Sequence, residues 1–94
     1  MSKYTVKGSS RYKKHLKRIA KRNIEDVIKI NETVNILARG EKLPERYHDH
    51  ALKGDWEGHR ECHIKPDLLL IYRIFEDVLI LELIDTGSHS DLFE

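Results

Sequence analysis

The stretch "LLLIYRIFEDVLILELI", residues 68–84, decides the fold. Its first part, residues 68–75, is almost wholly apolar, which is typical of a central strand buried on both faces. Residues 76–77 are acidic and predict a tight turn, after which residues 78–84 run back along the first strand. Three leucines of this returning strand share one face, because side chains alternate along a strand: Leu79, Leu81 and Leu83. The stretch therefore predicts a β-hairpin that contains the central strand of a sheet.

Two helices are predicted before this hairpin. The first can be capped by Ser9 or Ser10, because a serine oxygen accepts from the free N–H groups of a first turn. Lysines and arginines separate its apolar residues, which recur at helical spacing: Tyr12, Leu16, Ile19 and Ala20. The second helix is capped by Asn23 and ends near Gly40. Its apolar stripe is wider: Ile24, Val27, Ile28, Ile30, Val34, Leu37 and Ala38. A short turn between the helices makes them an antiparallel pair.

Two further strands are predicted around the helices. Residues 4–7 form a short first strand, and residues 56–64 are amphipathic up to a stop at Pro66. Between them, residues 40–54 show no sustained period and predict a long loop, of a length that is more often functional than accidental. The order β-α-α-β-β-β predicts an α+β fold, in which a helical hairpin packs on a small, mostly antiparallel sheet. At 94 residues, the chain is predicted to form a single domain over residues 1–94.

Charge is distributed unevenly along the chain, although the net charge is only +1. Residues 1–22 contain nine lysines and arginines and no acid, whereas residues 74–94 contain six acids and no lysine or arginine. Such a basic segment indicates a polyanionic partner, although basic helix faces are also common on proteins without one. The chain lacks an apolar run of 18 residues and an apolar segment near its start, so neither a transmembrane helix nor a secretory signal is expected. With a single cysteine, Cys62, this favours a cytoplasmic protein with no membrane partner.

Four polar residues border the predicted hairpin and the segments next to it: His50, His63, Asp67 and His89. In an antiparallel pair, the segment that enters one strand and the segment that leaves its partner meet at the same end. Residues 63–67 and 86–89 are therefore predicted to be neighbours. The sequence does not fix the distance of His50 from them, because it lies in the long loop. Two other histidines are expected in solvent, one on the basic helix and one on an exposed strand position: His15 and His59.

This polar set leaves three interpretations open. Zinc could be held by histidines, but no compact ligand spacing is present and Cys62 should point away from its neighbour on an extended strand. The histidines of this option are His48, His50, His63 and His89. Imidazole, with an ordinary pKa of about 6.5, can also give and take protons near neutral pH without a metal. The third interpretation is a polar sheet rim whose side chains make ordinary hydrogen bonds.

RNA cleavage fits the second interpretation well, because RNA carries its own nucleophile in the 2′-hydroxyl. The protein has to remove that proton, stabilise charge on the phosphate oxygens and protonate the leaving 5′-oxygen. A histidine or an aspartate can act as base, and a histidine as acid. Arg60 and either Lys53 or Lys65 can stabilise charge, and Phe93 can stack on a splayed base.

Three motifs at matching separations resemble the YafQ branch of the RelE/ParE superfamily of bacterial toxins. They lie in "DHALKGDWEGHRECHIKPDLLLIYR", residues 49–73, and "DTGSHSDLF", residues 85–93. The resemblance implies an endonuclease that cuts mRNA in the ribosomal A site without a metal or cofactor, leaving a 2′,3′-cyclic phosphate and a 5′-hydroxyl. It also implies the active-site positions His50, His63, Asp67, His89 and Phe93. His89 matches the general acid, Arg60 stabilises the phosphorane, and the base is His50, His63 or Asp67.

The same resemblance implies the partners of the protein. A basic first helix would bind ribosomal RNA, a DinJ-like antitoxin would wrap and neutralise the toxin, and operator DNA would be bound only by the toxin–antitoxin complex. One position departs from some relatives, which carry tryptophan where this chain has Leu68. The alternative function is a non-catalytic module, either ParE-like or a corepressor acting with its antitoxin. The His/Asp set distinguishes the two, because ParE-type members lack it.

Overall fold

The computed structural model describes residues 2–93. Its strands and α-helices follow the chain in this order: β1 Thr5–Gly8, α1 Ser10–Arg22, α2 Ile24–Ala38, β2 His50–Ala51, β3 Arg60–Lys65, β4 Leu68–Phe75, β5 Ile80–Gly87 and α3 His89–Phe93. Two single turns of 3-10 helix, Glu45–Tyr47 and Gly54–Trp56, flank β2. The loop predicted over residues 40–54 is therefore partly structured. Each helix within residues 2–93 is too short or too polar to cross a bilayer.

The five strands form one sheet in the order β1-β5-β4-β3-β2. Strand β1 pairs with β5 in parallel, and the other three pairings are antiparallel. The central position of β4 explains its apolar sequence, because both of its faces are covered. The predicted α+β class and the mostly antiparallel sheet are confirmed.

The predicted helix caps are present. The Ser9 Oγ accepts from the backbone N–H of Tyr12 at 2.9 Å, and the Asn23 Oδ1 accepts from that of Glu25 at 3.0 Å. Both helices pack on one face of the sheet around a core that includes Ile30, Leu70 and Tyr72. The predicted stripe of α2 was too wide, because Ile24 and Ile28 are 58% and 45% exposed. A helix on a sheet buries only one side.

A smaller apolar cluster covers the opposite face of the sheet. Leu69 and Ile71 of β4 pack there against Leu92 of α3, and Trp56 lies beside them. No element was predicted for the tail that follows the returning strand, residues 78–84. It continues β5 to Gly87 and then forms α3, because Leu92 is an apolar anchor for a single short helix. This second face carries the polar residues described below.

Two strand boundaries differ from the prediction. The strand predicted over residues 56–64 begins only at Arg60, because Trp56 closes a 3-10 turn stabilised by a bond from the Glu57 N–H to the Gly54 carbonyl. The returning hairpin strand begins at Ile80 rather than at residue 78. Leu79 has a left-handed backbone, with φ 52°, and is 44% exposed, so it does not share the buried face of Leu81 and Leu83.

Two histidines are not in the environments predicted for them. His15 is largely buried, and its Nδ1 lies 2.5 Å from Oδ1 of Asp85, a carboxylate buried at the β4–β5 register shift. The helical period places His15 toward the sheet, one turn from Tyr12 and Ile19. His59 precedes β3 and is half-buried, with its ring edge-on to Trp56 at 5.5 Å between centroids.

Candidate active site

Three imidazoles lie in a row on the sheet face opposite α1 and α2. The ring centroids of His50 and His63 are 6.1 Å apart, and those of His63 and His89 are 5.9 Å apart. His50 reaches this row because β2 pairs with β3 and sets it opposite Glu61. His89 reaches it because β5 ends beside the start of β4. The predicted proximity of residues 63–67 and 86–89 is present, and the position of His50 is now fixed.

Asp67 and His89 are joined by two hydrogen bonds. The Oδ1 of Asp67 accepts from the backbone N–H of His89 at 3.0 Å and lies 2.7 Å from its Nδ1. The backbone bond, followed by the bond from the imidazole, holds the pKa of Asp67 below its usual range. Since a carboxylate can only accept, Nδ1 of His89 carries a proton and Nε2 is left for another partner. Asp67 therefore orients His89.

Glu61 is a central member of the site that the sequence analysis did not identify. Its side chain is buried, and Oε1 lies 3.5 Å from Nε2 of both His50 and His63. Its other oxygen, Oε2, is buried without a hydrogen-bond partner within residues 2–93. The signal was available in the sequence, because residues two apart on a strand share a face and Glu61 precedes His63 by two. It was overlooked because a strand carboxylate is usually a solvated side chain.

The tautomer of His50 is set by the contact of its Nδ1, the ring nitrogen that faces away from Glu61. The Nδ1–H of His50 donates to the backbone carbonyl of His48 at 2.7 Å. His48 presents that carbonyl because its backbone is left-handed, with φ 47° and ψ 42°. His50 is thus held between a carbonyl and the carboxylate of Glu61.

One group of side chains has the spacing of a metal site. Ligand atoms of His50, Glu61 and His63 all lie within 4.8 Å of one another. Two imidazoles and a carboxylate suit a divalent transition metal such as Zn²⁺. The sequence had suggested a zinc site made of four histidines. Among residues 2–93, the group with this spacing keeps His50 and His63 but contains Glu61 in place of His48 and His89.

The predicted charge stabilisers are not gathered around the imidazoles. Arg60 alternates with Glu61 along β3 and its guanidinium lies 3.2 Å from Asp49. A register shift between residues 63 and 65 turns Lys65 toward α2, where its Nζ lies 2.9 Å from Asp26. Lys53 is exposed and forms no salt bridge within residues 2–93. Two of the three cations are therefore neutralised by carboxylates.

Aromatic residues border the site at the chain's end. Phe93 is 47% exposed and meets Trp56 edge-to-face, with 6.2 Å between ring centroids. This leaves a face of Phe93 accessible for stacking. Leu68 is buried against the helices, so it belongs to the core rather than to a stacking surface.

The bond between Asp67 and His89 predicts a pH-dependent contribution to stability. Because the folded-state pKa of Asp67 is lowered, its contribution is fully present above the ordinary value of about 3.9 and is lost as the pH falls through the folded value. The stability difference between the wild type and Asp67→Asn should be present at pH 5 and shrink below about pH 4. Urea unfolding at each pH measures it. A difference that grows as the pH falls from 5 to 3 would contradict the assignment.

Comparison with known proteins places the chain in a family. The family model for YafQ, a bacterial toxin of type II toxin–antitoxin systems, matches residues 4–94 of this chain. The mRNA interferase toxin YafQ of Escherichia coli is 36% identical over 89 residues, which cover 94% of each chain.

Solved structures agree with this match. The structure of the E. coli DinJ–YafQ complex aligns with a TM-score of 0.86 at 32% identity, over 97% of this chain and 99% of that chain. A metal-bound toxin from Helicobacter pylori aligns with a TM-score of 0.88 at 41% identity, over 96% of this chain and 99% of that chain. The resemblance seen in the motifs is thus confirmed over nearly the whole length, and the chain belongs to the YafQ family of bacterial toxins of type II toxin–antitoxin systems.

Proposed function

We propose that this protein is an endoribonuclease that cuts mRNA in the ribosomal A site by metal-independent acid–base catalysis, with the RNA 2′-hydroxyl as nucleophile. The observation that carries the proposal is the row of three imidazoles, one of which is oriented by Asp67. A base and an acid on either side of one phosphodiester are what this reaction needs.

His89 is the general acid of the proposed mechanism. Its imidazole is 55% exposed, and Asp67 holds the Nδ1 side so that Nε2 can face a substrate. An imidazolium at that position would donate its Nε2 proton to the leaving 5′-oxygen as the P–O bond breaks. Asp67 is a positioning residue, because its Oδ1 is occupied by two bonds from His89.

His63 is the best placed base. Its ring is a neighbour of the His89 ring, so the two can flank one phosphate and remove the 2′-hydroxyl proton on one side while the leaving oxygen is protonated on the other. The buried Glu61 lies behind His63 and His50, where it can stabilise the imidazolium formed when the base accepts a proton. His50 completes the row and contacts the phosphate oxygens in this scheme.

Dependence on the ribosome is supported by the loss of two predicted charge stabilisers. Arg60 and Lys65 are already paired with Asp49 and Asp26. A site that holds RNA through few cations gains from a substrate that is already positioned. Helix α1 supplies the surface for docking, since one groove on it is lined by five cations: Lys13, Lys14, Lys17, Arg18 and Lys21.

Removing charge from α1 should weaken the reaction through binding. For Lys13→Gln/Lys17→Gln/Lys21→Gln, the ribosome concentration at half-maximal rate should rise at least tenfold, with the maximal rate kept. The slope of log affinity against log salt should fall by roughly 2–3, as expected for the loss of three phosphate contacts. Cleavage assays over a salt series measure both quantities. The matched control is Lys29→Gln/Arg39→Gln/Lys42→Gln, and equal effects of the two triple variants would contradict a specific role of α1.

We also infer that a DinJ-like antitoxin neutralises this protein in the cytoplasm, as partner of a complex that binds operator DNA. Support comes from the family and from apolar residues left exposed on α2 and at the β4–β5 turn: Ile24, Ile28, Val78 and Leu79. A wrapping segment would bury such residues.

Primer extension on a defined message tests the proposal. With purified ribosomes in Mg²⁺ buffer, wild-type protein that was treated with EDTA and then freed of it should yield cuts whose upstream fragments end in a 2′,3′-cyclic phosphate, and the rate without ribosomes should be far lower. An uncut message would reject the proposed activity. Loss of cutting by the EDTA-treated protein, restored by Zn²⁺, would instead assign His50, Glu61 and His63 to a catalytic metal.

A further inference from the structure

A cavity of about 460 Å³ lies beside the imidazole row, and His63 is the one residue of its lining that the mechanism above uses. One wall is the turn that carries Arg46, Tyr47 and His48, and the other is the end of β3 from His63, with Pro66 after it. His63 is thus shared by the cavity and the row. The ring of His48 meets the ring of His63 edge-on, with 6.0 Å between the ring centroids. A strand with one phosphodiester at His63 would enter this cavity with its adjoining nucleotide.

The chemistry of the walls suits a nucleotide. Tyr47, Ile64 and Pro66 supply an apolar surface, and the lining contains no acidic residue among those described. The guanidinium of Arg46 lies over the Tyr47 ring, 5.0 Å from its centroid, and forms no salt bridge within residues 2–93. Its N–H groups make no hydrogen bond within residues 2–93, so they are free to bind a phosphate through two parallel bonds. The other cation of the lining, Lys65, is already paired with Asp26.

His48 is held toward the cavity by its backbone. It is one of two residues other than glycine with positive φ among residues 2–93. A non-glycine residue with positive φ is uncommon, although histidine, asparagine and aspartate adopt it more readily than most. The same conformation directs its carbonyl to Nδ1 of His50, so one backbone geometry serves both the imidazole row and the cavity.

We propose that this cavity is a subsite for the RNA nucleotide that adjoins the cleaved phosphodiester, with Arg46 binding its phosphate and His48 contacting its base. The inference rests on the proposed function for the identity of the strand as mRNA. It adds a place where sequence preference can arise, since phosphate contacts position a strand and base contacts specify it.

The test separates binding from cleavage. Trinucleotides with 2′-O-methyl groups at every sugar have no nucleophile, so the isolated protein can bind them but not cut them. Their affinity is measured by NMR titration for the wild type, Arg46→Gln and His48→Asn, and again after one nucleotide is removed from either end. Asparagine keeps the left-handed backbone that presents the carbonyl to His50 and removes only the imidazole. The matched control, Arg39→Gln, removes an exposed cation whose partner is Glu41, outside the cavity.

We expect Arg46→Gln to bind the trinucleotide about tenfold more weakly than Arg39→Gln. Removing the nucleotide that occupies the cavity from one end of the trinucleotide should lower the affinity of the wild type about tenfold as well. The same truncation should hardly change the affinity of Arg46→Gln, because this variant has already lost the contact to that nucleotide. His48→Asn should change the ranking of bases at that end. Equal affinities of the two arginine variants, equal truncation costs in wild type and Arg46→Gln, or no binding by the wild type would each overturn the subsite. If the wild type does not cut mRNA but truncation still costs it more affinity than it costs Arg46→Gln, the proposed cleavage is wrong and the subsite is supported.

Discussion

Replacing His89 with alanine is expected to lower the cleavage rate on ribosomes by roughly 10²–10⁴-fold, the usual contribution of a general acid. The affinity for ribosomes should be unchanged, because α1 is intact. Thermal stability should also change little, since the imidazole is 55% exposed and the bond from the His89 backbone N–H to Asp67 survives the substitution. Single-turnover primer extension and thermal unfolding measure these three quantities.

A substrate with a better leaving group tests the role of the proton itself. When sulfur replaces the leaving 5′-oxygen, the thiolate departs without protonation, so the deficit of His89→Ala should shrink by at least tenfold. The deficit of His63→Ala should persist, because removal of the 2′-hydroxyl proton is still required. His59→Gln is the matched control, since its ring contacts Trp56 rather than the imidazole row, and it should cut at nearly the wild-type rate. If the sulfur substrate leaves the His89→Ala deficit unchanged, His89 is not the acid.

The second large effect is expected at His15, far from the proposed chemistry. Its imidazole lies against the carboxylate of Asp85, which is 1% exposed. The same carboxylate accepts from the Thr86 N–H, and Arg11 Nε lies 2.7 Å from Oδ2 without hydrogen-bond geometry. Leaving a buried charged acceptor without one of its hydrogen-bond partners costs about 1–3 kcal/mol, because the carboxylate oxygen cannot regain its hydration. His15→Ala should therefore lower the melting temperature by at least about 4 °C, at about 4–8 °C per kcal/mol for a domain of this size.

A double variant separates this cause from simple loss of packing. In His15→Ala/Asp85→Asn the buried charge is removed with its partner, so urea unfolding should show the double variant to be more stable than His15→Ala alone. Lys14→Ala is the control on the same helix, and an exposed position of this kind changes stability by about 0.5 kcal/mol or less. A loss at His15 no larger than at Lys14 would mean that the imidazole is solvated, as the sequence had suggested.

The fold was predictable from the sequence where one pattern dominated. The apolar run of β4 required cover on both faces, and the serine and asparagine caps marked where α1 and α2 begin. The pattern was less informative at element ends, where Leu79 and Trp56 are apolar but lie in a turn. Hydrophobicity does not report backbone conformation, and Leu79 has a positive φ while Trp56 closes a 3-10 turn, so neither lies in the strand predicted for it.

The candidate site was likewise predictable only in part. Hairpin geometry was enough to place Asp67 beside His89, because the ends of paired strands must meet. The sequence by itself thus determined the α+β fold, the resemblance to YafQ toxins and the histidines proposed for the candidate site.

Only the tertiary structure decided which of the other polar residues have partners. It buried Glu61 between two imidazoles, turned Lys65 to Asp26 through a register shift, and set His15 against Asp85. The physical reason is that strand and helix periods fix only the face on which a side chain lies. Its partners come from elements distant in sequence, and a one-residue shift of register changes them all.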